Sequence, residues 1–321
     1  MTPAFVEERG ARHSLLPGLS SGWRRRGPSN GALAATTNSI LCFWPGNMTS
    51  NALIIEAGRT EREYWKDLWR YRELFYFLAW RDVLVRYKQA VLGVAWSVLR
   101  PLLTMLVFTV VFGKWAKLPS YGVPYPLLVL AAMLPWQLFI NAIQEGSNSL
   151  VANTNMITKV YFPRLIAPAS TVVVSMVDFL ISLVLLVFFM AWYRVTPGVR
   201  LLTLPLFTFL VIVASLGATS WLSALTVKYR DFRFVVPFIV QFGMYASPVA
   251  FSSRIVPQRW RLLYSLNPMV GIIEGFRWAI LGSGAELTWT GVLLSIIGVA
   301  VLLSSGIWYF RKTERTFADV I

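Results

Sequence analysis

The chain is poor in nearly everything from which chemistry at a soluble active site is built. One cysteine, Cys42, excludes a disulfide within the chain, and a single histidine, His13, leaves no ligand set for a transition metal. Charged residues make up 14% of 321 positions, against about 25% in soluble domains. Acids are the scarcer sign, 15 Asp and Glu against 30 Lys and Arg, and none falls between Arg9 and Ile55. The sequence has no G-x-x-x-x-G-K-[ST] phosphate loop, no D-x-D pair and no nucleophile set beside a base. Neither nucleotide hydrolysis nor metal or redox chemistry has its usual residues here, so no catalytic residue, no metal site and no cofactor of the chain's own is expected.

What remains is apolar. Hydrophobic residues reach 56% and the mean hydropathy is +0.58, which places the chain among all-α integral membrane proteins. A net charge of +15 would point a soluble protein towards nucleic acid. Here the basic residues cluster beside apolar runs, a placement that suits lipid headgroups and membrane topology instead, and no nucleic acid is expected. Residues 1–58 stand apart: Arg24, Arg25 and Arg26 lie among Gly, Pro, Ser and Asn. They read as a disordered or non-native extension with Met48 as a candidate start, or as a targeting segment.

Residues 59–90 form a cytoplasmic segment with an amphipathic helix. Phe77, Trp80, Leu84, Tyr87 and Val91 recur at spacings of three and four, while Arg81, Asp82, Arg86 and Gln89 lie elsewhere, the pattern of a helix in the membrane interface. Residues 91–321 then form a membrane domain with six apolar stretches near the ~20 residues a spanning helix needs. They run from Val91 to Phe112, Tyr125 to Ile143, Ile166 to Tyr193, Leu201 to Val227, Phe234 to Phe251 and Val292 to Phe310. Arg100 and Pro101 interrupt the first, and Pro237 falls in the fifth. The link from Ser252 to Gly291 is too polar for a further span and predicts short helices or a re-entrant hairpin. With the amphipathic helix inside, Lys and Arg count sixteen inside against eight outside; the two sides tie at eight without the residues before the first span, so the expectation that both termini are cytoplasmic rests on that segment.

Four groups of residues are candidates for function. The polar knob Asn153 to Arg164 interrupts two apolar runs. Asn153 and Asn155 can cap a short helix, Lys159 and Arg164 carry charge, and Tyr161 and Phe162 offer apolar contact. It serves either as a partner's docking point or as an ordinary loop. Arg100 and Asp178 sit inside spans and are expected to pair or to line a polar path. The aromatic share of 15% fits an aromatic belt, or a surface on which sugar rings stack, with Trp96, Phe108, Phe238, Phe242 and Tyr245 placed for the latter. Arg81, Arg86 and Lys88 can hold lipid phosphates or simply anchor the helix.

The runs LAWRDVLVRYKQAVLGVAWSVLRPLL (Leu78 to Leu103), PWQLFINAIQEGSNSLVANTNMITKVYFPR (Pro135 to Arg164), KYRDFR (Lys228 to Arg233) and NPMVGIIEGFRWAI (Asn267 to Ile280), in that order, resemble the permease of ABC-2 type polysaccharide exporters. The resemblance implies a homodimer of six-span subunits in the bacterial inner membrane, joined to a separate ATPase subunit that binds the ATP and Mg. The knob becomes the coupling helix, with Asn153, Asn155, Lys159, Tyr161, Phe162 and Arg164 as contacts. Trp96, Phe108, Phe242 and Tyr245 fall on the glycan path. Arg81, Arg86 and Lys88 receive the headgroup of a polyprenyl-linked glycan, and Trp260, Tyr264, Arg277 and Trp278 belong to periplasmic gate helices between spans five and six. A membrane-embedded polyprenyl-linked glycosyltransferase, an ATP-independent flippase and a secondary transporter are the competing readings.

Overall fold

The computed structural model describes residues 61–88, 91–282, 287–315 and 317. The expected extension over residues 1–58 lies outside them, as does Gln89 of the amphipathic pattern. Among the described residues every regular element is a helix, because hydrocarbon offers no water to the backbone and an apolar run satisfies its N–H and C=O groups by coiling on itself. In chain order these are α1 (Glu61–Arg70), α2 (Arg72–Lys88), α3 (Val91–Phe108), α4 (Tyr125–Ala152), α5 (Thr154–Ile157), α6 (Ile166–Trp192), α7 (Leu204–Lys228), α8 (Phe232–Ala246), α9 (Gln258–Tyr264), α10 (Pro268–Leu281) and α11 (Trp289–Glu314).

Five stretches are long and apolar enough to cross a membrane: Ala95–Trp115, Tyr125–Ala152, Ile166–Trp192, Val199–Lys228 and Trp289–Glu314. They coincide with the expected first, second, third, fourth and sixth spans. The first runs through Pro101 and ends in a wider π-helical turn, Thr109–Trp115. The most apolar window of α4 is 72% buried, against 17% for the first span, so α4 is the hub of the bundle and α3 lies at its edge. On another flank α7 and α11 touch backbone to backbone. A Cβ on Gly306 would sit 2.2 Å from the Gly217 carbonyl oxygen, and one on Gly217 would sit 2.7 Å from the Leu303 backbone. Small residues permit this approach where lipid gives helices no hydrophobic reason to associate.

The expected fifth span, Phe234 to Phe251, departs from one long helix. α8 has 15 residues, about 22 Å at 1.5 Å per residue, short of the ~30 Å hydrocarbon core. It stops at Ser247, whose extended backbone (φ −115, ψ 151) is the geometry imposed on a residue that precedes proline, here Pro248. The chain continues as buried, non-helical backbone through Val249 and Ala250, and the Tyr125 hydroxyl donates to the Ala250 carbonyl at 2.6 Å. Between α8 and α11 come α9 and α10, the short helices expected from Ser252 onward.

Two ends of the bundle can be told apart. Leu78 of α2, Leu150 of α4, Ile157, Phe162, Ile166 of α6, Phe310 of α11 and Phe317 form one apolar cluster, so the knob and both ends of the described chain lie together. At the opposite end, Arg254 covers the Tyr121 ring at 4.5 Å and Arg200 the Trp278 ring at 5.2 Å.

Candidate functional site

The knob is a rigid projection with a buried root. Its helix α5 has four residues, and the Asn153 carbonyl accepts from the amides of Met156 and Ile157 at 3.0 and 3.1 Å. The Asn153 side chain makes no cap. Its amide donates to the Ser149 carbonyl at 2.8 Å, and its oxygen accepts from Arg81 at 2.9 Å, which ties α4 to α2. Phe162 is 4% exposed and packs into the root. Arg164 is turned inward as well: its backbone amide donates to the Glu314 carboxylate at 3.0 Å and its guanidinium to the Glu314 carbonyl at 2.9 Å. Asn155, Thr158, Lys159, Val160 and Tyr161 are left on the outer face. Thr158 and Val160 were not singled out from sequence, nor was Glu314, which also interacts with Tyr64 of α1. Burial, and then the Glu314 charge, hold the Tyr64 phenol above its ordinary range.

In α2 most of the apolar face looks outward, as a helix in the membrane interface requires, although Tyr87, which the pattern counts on that face, turns to Asp178. Phe77, Trp80 and Leu84 are exposed, whereas Arg81 and Arg86 turn towards protein. Polar groups gain more from partners than from lipid, so a helix in this setting buries its polar face. Arg81 pairs with Asp82 at 2.7 Å besides bonding to Asn153. Arg86 reaches Glu145 of α4 at 2.6 Å and Asp178 of α6 at 3.2 Å. Asp178 thus takes Arg86, not the expected Arg100, as its cation. It also accepts from the Tyr87 hydroxyl, from Ser97 at 3.3 Å and from Asn141 at 3.4 Å. Desolvation, followed by the hydrogen bond to Asp178, pushes the Tyr87 phenol up to about 12. Of the three basic residues expected at a lipid headgroup, only Lys88 remains exposed and outside these pairs.

Above this cluster lies a cleft of about 360 Å³, walled by α3, floored by α4, and bounded by Asp178 and Ser182 of α6 and by Met244 of α8. Its floor carries Gln137, Asn141 and Gln144. Spacings of four and three put them on one helix face, a polar ladder where the apolar first half of α4 gives way to its more polar second half. That spacing is visible in the sequence and was the signal to follow. Arg100, exposed, and Thr104 come from α3, and Trp136, 4% exposed, contributes an indole N–H that has no hydrogen-bond partner. Trp96 lines the same cleft and is half exposed. Phe108 does not line it: it is buried in the core, edge-on to Phe112 with centroids 5.5 Å apart. On α8, Phe234, Phe238, Phe242 and Tyr245 are all exposed at spacings of four, four and three, an aromatic stripe in which Phe238 and Phe242 lie 4.3 Å apart.

Towards the opposite end, Trp260 of α9 is exposed, and the Tyr264 phenol is raised chiefly by burial and then by Glu274. Trp278 sits under Arg200. Arg277 is not a surface residue. It is 3% exposed and donates to the carbonyls of Leu128, Phe251 and Val249 at 3.1, 2.7 and 2.9 Å. Two of these acceptors belong to the non-helical stretch after α8, so the guanidinium supplies the donors that a broken crossing leaves missing.

Comparison with known proteins agrees with this architecture. The chain aligns at 29% identity over 262 residues, 80% of its length and 98% of the relative's, with the O-antigen export system permease protein RfbA of Myxococcus xanthus. It aligns at 26% over 250 residues, 75% of its length and 92% of the relative's, with the protein of that name from Klebsiella pneumoniae. The polysialic acid transport protein KpsM of Escherichia coli is 22% identical over 246 residues, 73% of this chain and 91% of KpsM. The family profile described as ABC-2 type transporter matches residues 73–281, a stretch that runs from α2 to the end of α10 and contains the knob, the cleft and the aromatic stripe. With its candidate spans, this is a multi-pass membrane protein that belongs to the ABC-2 type transporter family.

Proposed function

We propose that the chain is the permease subunit of an ATP-driven exporter, moving a polyprenyl-(pyro)phosphate-linked polysaccharide from the cytoplasm across the bacterial inner membrane. It works as a homodimer with a separate ATPase subunit, which binds ATP and Mg and supplies the energy. The names of its relatives, O-antigen export permeases and a polysialic acid transport protein, support this class of cargo. The observation that carries the reading is the polar ladder of Gln137, Asn141 and Gln144 lining the cleft beside Trp96, with the exposed aromatic stripe on neighbouring α8. Amides bond sugar hydroxyls and aromatic faces stack on sugar C–H edges, each weakly, so a polymer can pass without meeting a deep well.

In this reading the knob end is cytoplasmic and the outer face of α5, with Lys159 and Tyr161, seats on the ATPase. The buried root carries force into the bundle, because Ile157 and Phe162 pack on α2, α4, α6 and α11 in one cluster. Lys88 remains to meet the phosphate end of the carrier. α9 and α10, with Trp260, Tyr264 and Trp278, close the passage at the opposite end, and Arg277 holds their frame. The test is reconstitution of the permease with its ATPase in vesicles containing a lipid-linked glycan. Export must require both the ATPase and ATP, and Gln137→Leu with Asn141→Leu must slow it several-fold. Export without the ATPase, or labelling of Lys159 from outside the cell, sinks the reading.

A further inference from the structure

A second cavity, about 750 Å³, lies between α1, residues 161–164 and the last turns of α11, and it shares no residue with the cleft described above. α11 supplies one wall as a stripe of Leu303, Ile307 and Trp308 followed by Arg311, Lys312 and Arg315. These positions recur every three or four residues and so share a helix face. Over 12 residues, about 18 Å along the axis, the wall changes from aliphatic to indole to basic. α1 faces it with Tyr64, Trp65 and the carboxylate of Asp67.

The charges in this cavity are unequally engaged. Arg164 is bonded to Glu314, and Arg311 stacks over the Tyr64 ring at 4.8 Å. Lys312 and Arg315 are exposed and have no carboxylate partner among the described residues, the Lys312 ammonium lying 5.1 Å from the Trp308 ring. A cavity whose α11 wall is apolar at one end and carries two exposed cations at the other matches a molecule with a hydrocarbon tail and an anionic head. A volume within the ~300–1,000 Å³ of small-molecule sites suits one such molecule, not a macromolecule.

We propose that this cavity binds a single anionic lipid, with its phosphate held by Lys312 and Arg315 and its hydrocarbon lying along Leu303, Ile307 and Trp308. The site does not rest on the export reading. The bound lipid touches α1, the loop that follows α5 and α11 at once, and so bridges the knob to both ends of the described chain. A glycerophospholipid and a polyprenyl phosphate present the same chemistry, and the experiment separates them.

The full chain, purified in detergent, is offered phosphatidylglycerol, phosphatidylcholine or undecaprenyl phosphate, and retained lipid is counted by native mass spectrometry. Lys312→Ala with Arg315→Ala lowers retention of an anionic probe at least tenfold and leaves phosphatidylcholine unchanged. Lys312→Arg with Arg315→Lys keeps wild-type retention. Loss confined to phosphatidylglycerol assigns a membrane lipid, and loss confined to undecaprenyl phosphate assigns the carrier. Ile307→Trp, which fills the apolar end without touching charge, weakens the same probe. Retention of both anionic probes at the wild-type level in the double Ala variant overturns the proposal, as does an equal loss of phosphatidylcholine.

Discussion

At the scale of single residues, the membrane domain depends on two arginines that work in opposite settings. Arg277 stands where the fold has carbonyls to spare. Hydrogen bonds from a charged donor are worth about 1.5–3 kcal/mol each, and Arg277→Met strands the carbonyls of Val249 and Phe251 in a buried, non-helical stretch. We expect a loss of several kcal/mol, read as a lower unfolding temperature of the purified protein. Arg277→Lys does not rescue it, since an ammonium cannot reach three divergent carbonyls as the guanidinium fork does. Arg86 stands where the fold has acids to neutralise. Removing it leaves Asp178 and Glu145 without their cation, and because Arg86 and Glu145 are partly exposed while Asp178 is largely buried, the uncompensated charge falls mainly on Asp178. Arg86→Leu is therefore expected to destabilise more than Arg86→Leu combined with Asp178→Leu. Equal unfolding temperatures for the two variants would show that the pair carries no such role.

At the scale of elements, α5 and α8 divide their residues between holding and working. Asn155→Ala with Lys159→Glu alters only the outer face of the knob, so the permease should fold normally and lose at least tenfold in ATPase copurified with it. Phe162→Ala opens a cavity in the root, expected at about 3–5 kcal/mol, and should lower the unfolding temperature instead. On α8, Phe242→Ala with Tyr245→Ala removes half of the exposed stripe. It should slow glycan export several-fold while ATPase binding stays intact, and unchanged export kinetics would count against an aromatic path. The long helices were legible in the sequence because apolar runs of spanning length have one backbone solution in lipid. The break in the fifth run was legible too, in the Ser247–Pro248 pair, but hydropathy reports burial and not helicity, so that run looked continuous. The outward aromatic face of α2 was also legible, since aromatics opposite Arg and Lys mark an interface helix, but the inward turn of Tyr87 was not. The partner of Asp178 was out of reach because Arg86 is far from it in sequence, and only the climb of α2 along α6 brings them together.

At the scale of the whole molecule, the side of the chain formed by α3 and α8 is unfinished. Apolar residues on that side are at home in lipid, but Arg100, Gln137, Asn141 and Gln144 open the same way. A cation left in the hydrocarbon costs about 2.5–3.5 kcal/mol even on the most lenient scale. Exposed aromatics of α8 flank the opening, as does α3, the least buried of the candidate spans. A second copy set against this side would remove the lipid from the cleft and enclose its polar floor with water, turning two half-grooves into one passage. The single native thiol makes this testable. In a Cys42→Ser background, Gln144→Cys places a thiol on the floor and Leu206→Cys places one on an exposed part of α7 away from the cleft. A paired passage predicts that Gln144→Cys reacts with a small charged thiol reagent, that Leu206→Cys does not, and that Phe242→Cys forms a disulfide between two copies under mild oxidation. A cleft that faces lipid predicts the reverse for the first thiol, because a charged reagent does not enter hydrocarbon and thiolate does not form there. An unreactive Gln144→Cys together with a Phe242→Cys that stays monomeric would therefore remove both the water-filled passage and the homodimer.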